Sequence, residues 1–301
     1  MGMKTKQIGS ILVHQVVELE NLPVGAGSIF PGFQPDMAVR AREWLDARFI
    51  APDSDTLYLS FHSFVIQSGG RNILVDTCHG NHKQGREGTF AYYNNLQTDY
   101  LGNLARFGLR PEDIDVVLCT HLHFDHVGWN TRLENGCWVP TFPNARYLMS
   151  KVDFDYFGRA APDSHDGMHL LSYQDSVLPV VAAGQADFIH LDRTRDHDLG
   201  RDLWLEAAPG HTAGSVVLHA RNDAGGALFT GDCWHHPLQF AEPSLSLDIE
   251  QDPATSLVTR RRLIESCVDT NPLVMAAHFP SPTAGRVIGN GEGLRFQFTS
   301  D

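Results

Sequence analysis

Cysteine is scarce in this 301-residue chain. Its five copies, Cys78, Cys119, Cys137, Cys233 and Cys267, are odd in number, widely spaced and without a Cys-x-x-Cys pair. That argues against a disulfide framework or a thiolate zinc site and suits buried thiols in a reducing compartment. Basic residues are also few: 23 Lys and Arg against 36 Asp and Glu leave a formal charge of −13. Nucleic acid and anionic membrane both reward clustered positive charge, so neither is expected as the main partner. No apolar run approaches the roughly 18–20 residues of a membrane span. The N-terminal apolar stretch, Ile11 to Val13, is too short for a signal-peptide core. Lys6 stands where a myristoylation signal wants Ser or Thr. A cytoplasmic protein is the expectation. Repeats, low-complexity tracts and a G-x-S-x-G nucleophile elbow are likewise missing.

What the chain has in excess is histidine, 16 copies. Imidazole binds metals and titrates near neutral pH, so the positions matter more than the number. Short β-rich runs recur at 57–67, 72–77, 115–120, 145–150, 203–209, 215–220 and 227–232, many of them continuously apolar, as strands covered on both faces are. Helical pattern appears near 95–108 and 253–268, the second opened by Pro253. The Arg260–Arg262 run reads as a solvated helix face. Strands and helices in two similar halves predict an α/β sandwich. Residues 1–56 form a separate unit of organisation. They comprise an N-terminal strand and then an aromatic, Pro- and Gly-rich segment with Phe30, Phe33, Trp44 and Phe49, expected to be a lid or a subunit contact. Residues 57–301 carry the main domain.

The strand DVVLCT runs straight into HLHFDH: His121, His123, Asp125 and His126. Three imidazoles and a carboxylate within six residues are costly unless something binds them, because charged rings repel and neutral ones need polar partners. A divalent metal resolves both problems. Histidine and carboxylate without thiolate suit Zn²⁺ best, with Mn²⁺, Fe²⁺ or Co²⁺ as alternatives. Three more residues end strands in glycine-flanked or apolar contexts: His211 in GHTAGS, Asp232 in FTGD and His278 in AAHF.

Together with NILVDT, this ordered set resembles the metallo-β-lactamase-fold hydrolase superfamily over roughly residues 57–280. The resemblance implies a four-layer αββα sandwich with two divalent metal ions. It assigns His121, His123 and His211 to one metal and Asp125, His126 and His278 to the other. Asp232 would bridge them, and Asp76 would support the ligands from behind. Such a pair supplies a bridging hydroxide at neutral pH, and Asp125 is then the natural acceptor of the proton as the intermediate collapses.

The missing export signal disfavours an antibiotic-degrading member, and the acidic charge disfavours a nuclease. HLHFDHVGWNT and VDTCHGNHK look most like the lactonase, methyl parathion hydrolase and hydrolytic dehalogenase branch. The expected activity is hydrolysis of a small, largely neutral ester or lactone. Phosphotriester or haloaromatic hydrolysis is the alternative, and iron redox chemistry a lesser one. Position in the chain nominates pocket residues: His79, Asn81 and His82 after Asp76, Trp129 and Asn130 after the ligand run, and Cys233, Trp234, His235 and His236 after Asp232. His235 or His236 would donate a hydrogen bond to substrate or shuttle a proton. His14, His62, His165, His169, His190, His197 and His219 have no partner in the pattern and read as structural or solvated. A homodimer is the expected assembly.

Overall fold

The computed structural model describes residues 5–160, 167–191, 195–200, 202–290 and 293–299; His165 lies outside them. Nine strands cover the first half: β1 (Thr5–Ile8), β2 (Ile11–Gly25), β3 (Thr56–Ser68), β4 (Arg71–Val75), β5 (Val116–Leu118), β6 (Thr131–Glu134), β7 (Cys137–Pro140), β8 (Arg146–Ser150) and β9 (Ala186–Ile189). Seven more follow: β10 (Arg195–Asp198), β11 (Leu203–Ala207), β12 (Val216–Asn222), β13 (Gly225–Phe229), β14 (Leu273–Met275), β15 (Ala284–Asn290) and β16 (Gly293–Phe298). They form two seven-stranded sheets, ordered β1-β2-β3-β4-β5-β8-β9 and β10 through β16, with β6 and β7 as a separate ribbon. Pairing is parallel where β4, β5, β8 and β9 meet and where β13 meets β14, and antiparallel between the other neighbours.

Side-chain alternation builds the layers. Phe64 and Ile66 of β3, Ile73 and Val75 of β4, and Val116 and Leu118 of β5 meet Leu218, Ala227, Phe229 and Met275 of the other sheet in one buried core. The residues between them, Val65, Leu74 and Val117, face the opposite way, against Tyr100 and Leu104 of the helix Tyr100–Ala105. Val217, Leu228 and Val274 likewise face Leu263, Ile264 and Cys267 of the helix Pro253–Thr270. A period of two on strands covered from both sides yields sheet-on-sheet packing with a helical layer outside each, the αββα sandwich.

The long C-terminal helix starts where Asp252 accepts a hydrogen bond from the Thr255 amide and Pro253 fills the first turn; Asn271, at φ 47°, ends it. Helix 95–108 is shorter than its pattern, spanning Tyr100–Ala105. Residues ahead of it are used in a loop, where the Thr98 amide donates to Asn81 and its hydroxyl to Glu18. Arg260 is not solvated. It is fully buried, pairs with Glu250 at 3.3 Å and donates to Leu245 and Ser246, whereas Arg261 and Arg262 are exposed. In the segment before β3, Phe30 and Phe49 are buried with Leu238, Leu245 and Leu247 of the same chain.

Candidate metal centre

The site lies where the strand ends converge. Asp76 follows β4 with φ 57°, and its Oδ1 accepts the Thr120 amide at 2.8 Å while Thr120 Oγ1 donates to both carboxylate oxygens. The turn after β5 is thereby tied to the turn after β4. His121 and His123 follow in that turn, and Asp125 and His126 sit in the one-turn helix Phe124–Val127. Two glycines permit the other ligand turns. Gly210 has φ 135°, and a Cβ there would stand 2.3 Å from the Ser256 backbone. Gly231 has φ 47°, and a Cβ there would stand 2.7 Å from Thr120 Oγ1. The residues they precede, His211 and Asp232, therefore come close to the β5 turn. His278 is fixed by a two-way exchange with Ser60: its Nδ1 donates to the Ser60 carbonyl at 3.2 Å, and the Ser60 amide donates to its carbonyl at 2.9 Å.

The seven side chains form two groups. His121, His123, His211 and Asp232 offer one set of ligand atoms, and Asp125, His126, Asp232 and His278 a second, each set within 4.8 Å of one another. Asp232 belongs to both by division of its oxygens. Oδ2 lies 3.7 Å from His121 Nε2 and 3.2 Å from His211 Nε2; Oδ1 lies 3.0 Å from His126 Nε2 and 2.9 Å from His278 Nε2. No cysteine enters either group among the described residues; Cys233 is buried beside Asp232, and burial pushes its thiol up to about 12.

Burial disfavours charge on His121 and His123 and holds both well below the usual imidazole range. Burial acts the same way on His126, but Asp232, Asp76 and Asp125 outweigh it and hold that ring well above the range. Asp232 is buried too, yet His126, His278, His235 and His121 pull it well below the usual carboxylate value. Nε2 of His121, His126 and His278 and Oδ1 of Asp232 are buried without a hydrogen-bond partner. Orphaned polar atoms of this kind cost about 1–3 kcal/mol each. Two divalent cations would satisfy the whole set at once, so donor chemistry and geometry fit a binuclear centre.

The remaining sequence expectations separate by side-chain direction. His235 joins the cluster, its Nε2 2.9 Å from Asp232 Oδ2 and its ring stacked on His278 at 5.1 Å. Burial pushes that imidazole down to about 3. His79 reaches the edge of the site through Phe61, 4.4 Å away, which itself abuts His278 at 4.9 Å. Trp129, Trp234 and His236 do not line the site. Trp129 stacks on Tyr100 in the outer core and donates its indole N–H to Glu18 at 2.6 Å. Trp234 packs on Phe240, and His236 Nε2 hydrogen-bonds the Phe49 carbonyl at 2.9 Å. Asn130 is a buried strut, accepting from Thr77 at 3.0 Å. Asn81 is spent on Thr98, and His82 is exposed.

Sequence reasoning missed four contributors. Ser60 orients His278 as described. Asp153, fully buried, accepts Thr212 Oγ1–H at 2.8 Å and the Gly214 amide at 2.7 Å, clamping the His211 turn. His169 stacks flat on His123 at 4.1 Å. Glu18 accepts the amides of His79 and Gly80, the Thr98 hydroxyl and the Trp129 indole, which fixes the loop after Asp76. Glu18 and Asp153 lie in segments with no distinguishing pattern, and only the contacts across the fold reveal them.

The family description "Metallo-beta-lactamase superfamily" matches residues 62–287. The chain is 25% identical over 225 residues, 69% of itself and 76% of the relative, to the N-acyl homoserine lactonase AiiB of Agrobacterium fabrum. Among solved structures it resembles AidC, described as a dizinc quorum-quenching lactonase in complex with a product, with TM-score 0.78 and 19% identity over 100% of this chain and 98% of that one. It also resembles AbOPH, a hydrolase in the beta lactamase superfamily, with TM-score 0.77 and 19% identity over 100% and 98% of the two chains. At these identities the solved structures speak for the fold, and the family match spans every ligand turn. This chain belongs to the metallo-beta-lactamase superfamily.

Proposed function

We propose that the chain is a two-metal hydrolase of a small ester or lactone. The observation that carries this reading is the pair of ligand groups sharing Asp232 through separate oxygens. Two divalent ions held there, zinc by ligand type, would supply a water nucleophile at neutral pH and polarise the oxygen under attack. His121, His123 and His211 would hold one ion, Asp125, His126 and His278 the other, and Asp232 both. Asp125 is the most open of these side chains for which exposure differs: 14% against 3% for Asp232 and His278. Substrate therefore approaches on the Asp125 side. Its carboxylate would take the proton and pass it to the leaving oxygen. His235, anchored on Asp232 through Nε2, would fix the orientation of that shared carboxylate.

The lactonase relatives support this class of substrate, and the acidic surface of the chain argues against a phosphodiester backbone. A panel of aryl esters, lactones, phosphotriesters and chloroaromatics tests it, with released acid, nitrophenol and chloride as readouts. Turnover confined to esters or lactones is expected. Chloride or phosphate-ester products without carboxylic acid release would refute the reading.

A further inference from the structure

Beside the second ligand group lies a patch of rings holding two polar side chains with unused hydrogen-bonding capacity. His79 stacks on Tyr93 at 4.1 Å and 12° and lies 5.4 Å from Phe124. Its backbone is committed, the amide to Glu18 and the carbonyl packed against Gly128, but both ring nitrogens are buried without a partner. Arg86 is 3% exposed, with its guanidinium 5.3 Å from the Phe124 ring centre and its Nε without a partner. Its Nη1 donates to the Gln84 carbonyl at 3.1 Å and its Nη2 to Ser172 Oγ at 3.4 Å, so its partners are neutral, and among the described residues it forms no ion pair although the chain carries 13 more acids than bases. Asp175, the acid acting most strongly on it, is paired with Lys83 at 3.1 Å.

The arrangement is built. The Asn94 side chain accepts the Arg86 amide at 2.9 Å and donates to its carbonyl at 2.8 Å, so Arg86 and neighbouring Tyr93 are locked together. Phe124 in turn stands between the ligands His123 and Asp125, on the open side of the centre. Burying a guanidinium without a carboxylate is costly, and Arg pairs best with a planar oxyanion. Aromatic walls favour a flat ring.

We infer that Phe61, His79, Arg86, Tyr93 and Phe124 form a recognition subsite for an aromatic ring bearing a carboxylate. This rests on the hydrolase reading above and departs from the expectation of a largely neutral substrate. The substrate class is then an aryl ester or lactone with one acidic substituent. Water adds across its acyl C–O bond, giving a carboxylic acid and a hydroxyaryl acid from an ester, or one ring-opened molecule carrying both new groups from a lactone.

The metal-loaded protein is titrated calorimetrically with 4-hydroxybenzoate and with its methyl ester, and hydrolysis of 4-acetoxybenzoate is compared with that of its methyl ester. The free acid is expected to bind about tenfold or more tightly than the methyl ester. Arg86→Met should bring that ratio close to one, a loss of about tenfold or more, and Arg86→Lys, which keeps charge but loses the fork, should shrink it by less. His79→Phe should shrink it as well. Equal binding of acid and ester by the wild type overturns the subsite. So does a preference that survives Arg86→Met, since the carboxylate would then be held elsewhere, at the metals for instance. Binding discrimination without turnover of either ester supports the subsite and refutes the hydrolase reading; turnover of both esters without discrimination does the reverse.

Discussion

Replacing Asp76 by Asn changes one atom and tests how the second ligand group is held. Asp76 Oδ1 accepts the Thr120 amide at 2.8 Å, and Oδ2 lies 2.9 Å from His126 Nδ1. That negative charge keeps a proton on Nδ1, so the proton given up to a metal would be the one on Nε2, 3.0 Å from Asp232. An Asn that keeps the Thr120 bond presents its NH₂ to His126 Nδ1. Nδ1 must then accept, the proton moves to Nε2, and the ligand atom is blocked. Turning the amide over instead sets NH₂ against the Thr120 N–H. Either outcome forfeits one interaction worth about 1.4–2.8 kcal/mol, equivalent to ten- to hundredfold in metal affinity. In the first outcome the fold should lose less than about 1 kcal/mol, because the Thr120 amide keeps its acceptor. Competition against a chromophoric chelator gives the two affinities, and a thermal melt gives the stability. Wild-type affinity at both positions, or a stability loss exceeding the affinity loss, would refute the argument.

Other perturbations have equally definite outcomes. Asp153→Ala orphans the buried Gly214 amide, while the Thr212 hydroxyl keeps Ser215, 2.7 Å away, and should cost about 1–3 kcal/mol in chemical denaturation; Asp153→Asn, whose Oδ1 keeps the Gly214 amide, should cost much less. Arg260→Ala strands buried Glu250 and should cost about 3–5 kcal/mol, where a solvated arginine would cost almost nothing. Burial pushes Lys83 down from 10.5 to about 8. The unfolded chain then takes up its proton first as pH falls from 10.5 to about 8, so the fold loses about 3 kcal/mol across that window. Denaturation of wild type and Lys83→Met at pH 8 and pH 10 should show that slope only in the wild type.

The clustering of the seven candidate ligands was legible because its signal is local. HLHFDH places four of them in six residues, and strand ends bring the other three to the same edge of the sandwich. Alternation on β3, β4, β5 and β13 likewise spells out the layers. Pocket residues nominated by nearness in the chain fared differently, because adjacent residues in extended backbone point opposite ways. Trp234 is extended, at φ −140° and ψ 131°, so His235 turns to the cluster while Trp234 and His236 turn to the core. Asp153 and Ser60 act through contacts 59 and 218 residues distant in sequence. Nothing in their neighbours announces such partners. Arg260 misled for a related reason: three arginines in a row cover most of one helical turn, so one of them had to face inward.

Metal content measured on the same sample as turnover tests the central claim most directly. About two divalent ions per chain are expected in the wild type, with hydrolysis abolished by chelation and restored by zinc. Asp232→Ala should retain at most one ion and no activity. Full activity in metal-free protein, or a wild type saturating at a single ion, would contradict a centre built on seven side chains and a shared aspartate.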